Sequence, residues 1–136
     1  FGQAASGPSK GTLAGLVSGI RAGQPVRVFV DRVVSPTYVH DAADATLWLL
    51  EHQSPAGLYH CVNTGHASWA DVATEVARLL GVSADFRPVR CADVVLRAAR
   101  PRYCALSNEK LRAAGVDMPL WQDAVRRWLS VEAPAP

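Results

Sequence analysis

The residues from Val26 to Leu50 constrain the fold of this chain most, because they combine a strand, a rigid turn and a helix. Val26–Val30 is a short apolar run after a glycine- and proline-containing turn, which predicts a strand. Pro36 forces Ser35 out of helical geometry. The helix is therefore predicted to begin at about Asp41, whose carboxylate suits the free N–H groups of a first turn. A strand that feeds a helix through a restricted polar turn is where α/β proteins place binding groups. The binding groups predicted in this turn are Ser35, Thr37, Tyr38 and His40.

Apolar spacing and turn residues predict the remaining elements. One predicted helix ends at about Ala22, and another runs from Ser68 to Gly81. Two further helices are predicted, one after Ser107 and one after Pro119. The predicted strands are Leu58–Val62, which reads as buried, and Ser83–Val89. Three glycines at four-residue spacing along the first helix predict close packing of that face; they are Gly11, Gly15 and Gly19.

Composition predicts one ordinary globular domain over residues 1–136, with a frayed tail at 131–136. Hydrophobic residues make up 49% of the 136 and charged residues 19%, which excludes a disordered chain. A net charge of +2 favours neither a nucleic-acid nor a membrane partner. No apolar run approaches the roughly 18 residues of a membrane span. Three cysteines without a CxxC motif predict reduced thiols and a cytoplasmic location.

The histidines and cysteines do not form a recognisable reactive set. His60 and Cys61 are adjacent on a predicted strand, so their side chains point to opposite faces. The other histidines stand at no metal-ligand spacing with Cys91 or Cys104. The segment Gly2–Ser9 approaches a phosphate-binding loop, but Pro8 stands where that loop needs lysine. No metal site is therefore predicted.

Three long segments carry a family resemblance. They read SPTYVHDAADATLWLL, GLYHCVNTGHASWADVATEVARLLG and RPRYCALSNEKLRAAGVDMPLWQDAVRRWL. In this order they resemble the closing part of extended short-chain dehydrogenases/reductases, the NAD-dependent epimerase/dehydratase superfamily. Within it they are most similar to the dTDP-4-dehydrorhamnose reductase branch. The resemblance implies an α/β fold corresponding to the C-terminal lobe of such an enzyme, without its N-terminal Rossmann half.

The resemblance also implies four substrate-binding residues. Three arginines surround Pro101, and a guanidinium group suits a diphosphate, although such a cluster is often only surface charge. In related nucleotide-sugar enzymes an arginine in an Arg-Pro turn holds the diphosphate, and Arg100 matches it. Ser35 and Thr37 fall where the substrate pocket is expected. Thr12 stands where the family commonly has an asparagine near the nucleotide base, and its alternative role is that of a helix cap.

Two features of the family are missing from this sequence. No strand leads through a glycine-rich turn into a helix with a following acidic residue. The catalytic pair of the family is a tyrosine with a lysine four positions later, whereas Ala42, Asn63 and Ser107 follow the three tyrosines at that distance. NAD(P) therefore belongs to the parent family and is not expected to bind this chain alone, which is not expected to transfer hydride.

Three functional hypotheses follow from the sequence. The chain is the substrate-binding part of an NAD(P)-dependent nucleotide-sugar reductase, epimerase or dehydratase. Alternatively it is a non-catalytic regulatory or binding subunit, or a structural module that self-associates. The expected partners are a nucleotide-diphosphate sugar and either a missing Rossmann half or a second copy of the chain, since a lobe that lacks its neighbour exposes apolar surface.

Overall fold

The described part of the chain is an α/β structure made of short elements. The computed structural model describes residues 1–2, 11–95, 98 and 100–132. The helices there are α1 (Thr12–Arg21), α2 (Val39–Glu51), α3 (Trp69–Leu80), α4 (Glu109–Ala113) and α5 (Trp121–Glu132), with a 3-10 turn at Cys91–Asp93. The strands there are β1 (Val26–Phe29), β2 (Val33–Val34), β3 (Ala67–Ser68), β4 (Phe86–Val89) and β5 (Tyr103–Cys104). In the described ranges no helix combines the length and apolar character needed to cross a membrane.

The chain divides into two compact units. The first, called the helical unit, contains Phe1, Ser35–His66 and the chain from Leu106 onward, with α2, α4 and α5. The second, called the sheet unit, contains the described residues of the ranges Ala4–Val34 and Ala67–Ala105, with α1, α3 and the five strands. Most of the segment Gly2–Ser9 and residues 133–136 of the predicted frayed tail lie outside the described residues.

The sheet unit holds two small sheets and two packed helices. β1 and β4 pair in parallel from Val26 opposite Phe86 to Phe29 opposite Val89. β2 lies between β3 and β5, antiparallel to β3 and parallel to β5. The buried residues of α1 and α3 are Leu13, Leu16, Val17, Ile20, Val72, Ala73, Val76 and Ala77. The helical periodicity of the sequence is confirmed here.

Both predicted ends of α3 are confirmed. The Ser68 hydroxyl accepts a hydrogen bond from the Asp71 N–H, and the Asp71 carboxylate accepts one from the Ser68 N–H. This reciprocal pair satisfies two N–H groups that lack a partner within the helix. Gly81 ends the helix with φ of +66°, a left-handed conformation that favours glycine.

The helical unit is organised around α5 and a second apolar cluster. The buried residues of α5 are Trp121, Ala124, Val125, Trp128 and Leu129, as the sequence predicts. The second cluster consists of Ala45, Leu111 and Met118, with Leu49, Tyr59, Cys61 and Val116 packed against it. Ser107 accepts a hydrogen bond from the Glu109 N–H at 3.2 Å, so its hydroxyl serves the first turn of α4.

The predicted capping role of Asp41 at the start of α2 is wrong, and the helix begins two residues before the predicted position. The helix begins at Val39 and its N-cap residue is Tyr38. The Tyr38 side chain makes no capping hydrogen bond. Other groups satisfy the first N–H groups: Asn63 Oδ1 accepts from the Tyr38 N–H at 2.8 Å, and the Phe1 carbonyl accepts from the Val39 N–H at 2.8 Å. The Asp41 carboxylate is buried within the first turn and is free for other partners.

The predicted buried strand at Leu58–Val62 is also wrong. Residues 58–62 are not in a strand, and Leu58 is 75% exposed. Within the described ranges no strand pairs with this segment, and a lone extended segment cannot satisfy its own backbone groups. One apolar face of α2 is exposed as well. This apolar stripe consists of Val39, Ala43, Leu47 and Leu50.

Candidate functional site

The turn before α2 brings two predicted substrate residues together in the helical unit. Ser35 and Thr37 are half-buried on either side of the buried Pro36. The Thr37 hydroxyl donates to the Ser35 carbonyl at 3.1 Å, and the Ser35 hydroxyl accepts from the Leu106 N–H at 3.0 Å. Because a hydroxyl oxygen carries two lone pairs, both groups keep the capacity to accept a hydrogen bond from a ligand.

Tyr38 and His40, which the sequence places in the same turn, have different surroundings. Tyr38 is buried, and its ring stacks on Phe1 at a centroid distance of 5.6 Å. His40 is exposed and lies edge-on to Tyr38 at 4.9 Å. The Tyr38 ring therefore belongs to the core that supports the turn.

A buried polar network beneath the turn was not predicted from the sequence. Asn63 is 1% exposed, and its Nδ2 donates to Asp41 Oδ2 at 2.6 Å and to the Pro119 carbonyl at 3.1 Å. Arg127 Nη2 donates to the same Asp41 oxygen at 2.7 Å. Asp41 and Arg127 are 86 positions apart, and no sequence spacing joins them. The sequence signal that could have indicated this network is a carboxylate in a mostly apolar helix, because a carboxylate that becomes buried requires a polar or charged partner.

The charges of this network reinforce each other. Arg127 Nε also donates to Asp123 Oδ2 at 2.7 Å. The hydrogen bond to Asp41, together with the one to Asp123, raises the pKa of Arg127 above its ordinary value despite partial burial. Hydrogen bonds from Arg127 and then Arg126 lower the pKa of Asp123. The Arg127 guanidinium lies 5.4 Å from the centre of the Tyr38 ring, a distance suited to a cation–π contact.

The sheet unit contains a cavity of about 270 Å³ next to Thr12. Its lining residues are Thr12, Gly15, Leu16, Val26, Arg27, Val28, Phe29 and Trp69. The helix-cap alternative for Thr12 is wrong, because Gly11 occupies the N-cap position and no side chain caps α1. The predicted close packing of the glycine face is confirmed at Gly19, where an added Cβ would lie 3.0 Å from Val26. It is wrong at Gly15, where an added Cβ would meet nothing within 4 Å. The missing side chain of Gly15 leaves this cavity open.

The Arg-Pro turn also lies in the sheet unit. Arg100 is exposed and forms no salt bridge with any residue that the structure describes. Arg102 Nε lies 3.9 Å from Asp31 Oδ2, and Asp31 Oδ1 accepts from the Cys91 N–H at 2.9 Å. That backbone hydrogen bond is the main cause that lowers the pKa of Asp31. Arg97, the third arginine of the cluster, lies outside the described residues.

The four predicted substrate residues thus fall into two groups. Ser35 and Thr37 belong to the helical unit, where they form one turn. Thr12 and Arg100 belong to the sheet unit. Each group offers hydroxyl or guanidinium groups of the kind that bind polar, anionic ligands.

The described residues do not fit a dinucleotide cofactor. Such a site needs a strand that leads through a glycine-rich turn into a helix. Residues 30–38, between β1 and α2, contain no glycine; β3 runs directly into α3, and β4 runs into the 3-10 turn. Residues 105–108, between β5 and α4, contain none either. In the same described ranges no group of three or more His, Cys, Asp or Glu side chains is arranged to hold a metal ion.

Comparison with known families assigns the chain to a class and a family. Residues 7–133 match the family described as RmlD substrate binding domain, and the chain belongs to that family. The computed structure matches the C-terminal portion of dTDP-4-dehydrorhamnose reductases and of other extended short-chain dehydrogenases/reductases. The resemblance seen in the sequence is thereby confirmed.

Two relatives illustrate the sequence similarity. The chain is 33% identical over 112 residues to the spore coat polysaccharide biosynthesis protein SpsK of Bacillus subtilis, covering 82% of the chain and 39% of that protein. It is 38% identical over 107 residues to dTDP-4-dehydrorhamnose reductase of Streptomyces griseus, covering 74% of the chain and 35% of that protein. The chain therefore spans less than two fifths of either relative.

Two solved structures illustrate the similarity of fold. A dTDP-4-dehydrorhamnose reductase from Clostridium acetobutylicum superposes with a TM-score of 0.83 at 24% identity, covering 93% of the chain and 45% of that structure. The Bacillus anthracis enzyme, solved in complex with NADP, superposes with a TM-score of 0.79 at 28% identity, covering 92% and 44%. Because it is only 24% identical, the Clostridium acetobutylicum structure is evidence of the fold alone.

Proposed function

We propose that this chain is the substrate-binding part of an NAD(P)-dependent reductase that acts on a nucleotide-diphosphate sugar, with dTDP as the nucleotide. Membership of the RmlD substrate binding domain family supports this proposal. The names of relatives from Streptomyces griseus, Streptomyces antibioticus and Streptomyces niveus support the choice of a dTDP-linked keto sugar.

The observation that carries the proposal is Arg100 in the sheet unit, which forms no salt bridge with the residues that the structure describes. An exposed guanidinium group without an acidic neighbour among the described residues is free to donate two parallel hydrogen bonds to a diphosphate. The same unit holds the cavity beside Thr12, whose volume of about 270 Å³ lies just below the range of whole-ligand pockets. That volume suits one part of a ligand, and we assign it to the nucleotide base.

In the helical unit, we propose that the hydroxyl groups of Ser35 and Thr37 bind a sugar. The Thr37 hydroxyl donates to the Ser35 carbonyl within the turn, and the Ser35 hydroxyl accepts from the distant Leu106 N–H. Their orientation is therefore fixed before a ligand arrives, which lowers the entropy cost of binding. Thr12 contributes a hydroxyl at the wall of the base cavity.

The chain on its own binds substrate without reducing it in this proposal. Its tyrosines lack the lysine four positions later, and its described strands do not fit NAD(P). We assign the cofactor and the acid/base tyrosine to a further Rossmann half, as the partial coverage of both relatives suggests. The three free cysteines support a reducing compartment such as the cytoplasm.

The exposed stripe of α2 is the proposed docking surface for that half. Leu47 and Leu50 are 55% and 70% exposed, and Leu58 begins an extended segment without a strand partner among the described residues. An exposed apolar face of this kind is typical of a surface that another domain covers. The regulatory and self-associating alternatives would use the same surface, with a different protein or a second copy as the occupant.

Titration of the chain with dTDP tests the role of Arg100. Replacing Arg100 by Ala should weaken dTDP binding about tenfold or more, because one charge-assisted contact to phosphate is lost, and should leave the free energy of unfolding nearly unchanged. Arg78→Ala is the matched control, since Arg78 is an exposed arginine of the same unit that pairs with Glu75. Equal dTDP affinity in the Arg100→Ala variant and the unmodified chain would remove Arg100 from the site.

A further inference from the structure

The turn that carries Ser35 and Thr37 is held in place by a side chain from a distant part of the helical unit. The Tyr38 N–H, directly after Thr37, donates to Asn63 Oδ1 at 2.8 Å. This N–H belongs to the N-cap residue of α2 and has no acceptor within the helix. Asn63 therefore supplies the acceptor that fixes the end of the turn.

Asn63 is itself held rigidly. Its Nδ2 donates to Asp41 Oδ2 at 2.6 Å and to the Pro119 carbonyl at 3.1 Å. Asp41 is in turn bound by Arg127 at 2.7 Å. With its oxygen and both amide hydrogens used and its side chain 1% exposed, Asn63 has one orientation that satisfies all its partners.

The other end of the turn is fixed separately. The Ser35 hydroxyl accepts from the Leu106 N–H at 3.0 Å, and the buried Pro36 restricts the backbone between the two ends. The turn is thus held at Ser35 by the Leu106 N–H and at Tyr38 by Asn63. Thr37 lies between these two hydrogen-bonded residues, so the position of its hydroxyl group depends on both hydrogen bonds.

We propose that Asn63 is a positioning residue for substrate binding, which acts by holding the turn so that Ser35 and Thr37 present their hydroxyl groups to the sugar part of a nucleotide-diphosphate sugar. This inference rests on the proposed function of the chain. Asn63 is buried and does not touch the ligand. It acts through the Tyr38 backbone.

Two variants test the inference by calorimetric titration with a dTDP-linked hexose. Asn63→Ala removes the acceptor for the Tyr38 N–H and should weaken binding of the dTDP-hexose about tenfold. The same variant should keep its affinity for dTDP itself, because dTDP lacks the sugar that Ser35 and Thr37 contact. Asn63→Gln keeps the amide but moves it by one methylene group, so it should show the same selective loss and serves if the alanine variant does not fold.

Thr64→Val is the matched control for general destabilisation. Thr64 neighbours Asn63, donates to the Met118 carbonyl at 2.7 Å and accepts from Asn108 at 3.0 Å, so its loss also removes two hydrogen bonds from the helical unit. Its affinity for the dTDP-hexose should equal that of the unmodified chain. Amide hydrogen exchange at Tyr38 should accelerate in both Asn63 variants and not in Thr64→Val.

The outcomes separate this inference from the proposed function. Failure of the unmodified chain to bind either dTDP or the dTDP-hexose would overturn both. Binding of both ligands by the unmodified chain, with undiminished dTDP-hexose affinity in Asn63→Gln or Asn63→Ala, would overturn the positioning role alone. An equal loss for dTDP and dTDP-hexose would also overturn it, because that pattern indicates general destabilisation.

Discussion

Asp41 shows at the residue scale how a buried charge organises the helical unit. Its carboxylate is 8% exposed and accepts hydrogen bonds from both Asn63 and Arg127. Burying a carboxylate without such partners would cost several kcal/mol. The partners therefore join α2, the segment around Asn63 and α5 through one oxygen atom.

Replacing Arg127 by Ala should destabilise the chain by about 2–3 kcal/mol, because it leaves Asp41 buried without its cation. The value lies at the lower end for buried pairs because the Arg127 side chain is one-third exposed. Arg126→Ala is the control, since Arg126 pairs with Asp123 at the surface and should cost less than about 1 kcal/mol. Urea denaturation gives both values, and equal losses in the two variants would contradict the importance of the Asp41 pair.

Residue-scale features divide into those that sequence reasoning finds and those that it misses. The Ser68–Asp71 capping box is predictable because both partners lie within four positions. The Asn63–Asp41–Arg127 network is not, because each contact depends on how distant segments pack. Asp41 leads to a wrong prediction, because an aspartate at the start of a predicted helix is typical of an N-cap residue. In the structure the Tyr38 N–H donates to the Asn63 side chain instead.

At the scale of elements, α1 combines packing and an open cavity along one glycine row. Gly19 approaches Val26, whereas Gly15 faces the cavity beside Thr12. The periodicity of α1 and α5 is predictable, because an apolar stripe of period 3.6 has to be buried. The absence of a strand at Leu58–Val62 is not predictable in the same way, because strand formation requires a pairing partner and an apolar sequence alone does not supply one.

Gly15→Ala should separate stability from binding. An alanine within a helix is favoured over glycine by about 0.5–1 kcal/mol, and the added methyl group has free space. The same methyl group narrows the base cavity, so dTDP affinity should fall about tenfold, or about 1.4 kcal/mol. Ser18→Ala, on the exposed side of α1, should stabilise the helix slightly and leave dTDP affinity unchanged. Unchanged affinity in Gly15→Ala would exclude this cavity as the base site.

At the scale of the whole molecule, the exposed α2 stripe predicts association. The chain should form larger species with rising concentration, because isolated apolar stripes pair with each other when their usual cover is absent. The double change Leu47→Lys and Leu50→Lys should shift sedimentation equilibrium toward the single-chain mass, while Val95→Lys, an exposed apolar residue outside the stripe, should not. A single-chain mass for the unmodified protein at every concentration would count against this use of the stripe.

In the proposed function, this chain binds the nucleotide sugar and a further Rossmann half binds the cofactor. Parallel calorimetric titrations with dTDP and with NADPH test it most directly, with UDP and GDP as comparisons for base preference. Binding heat is expected with dTDP and none with NADPH, since the described strands do not provide a dinucleotide site. Tight binding of NADPH, or no heat with any nucleoside diphosphate, would contradict it.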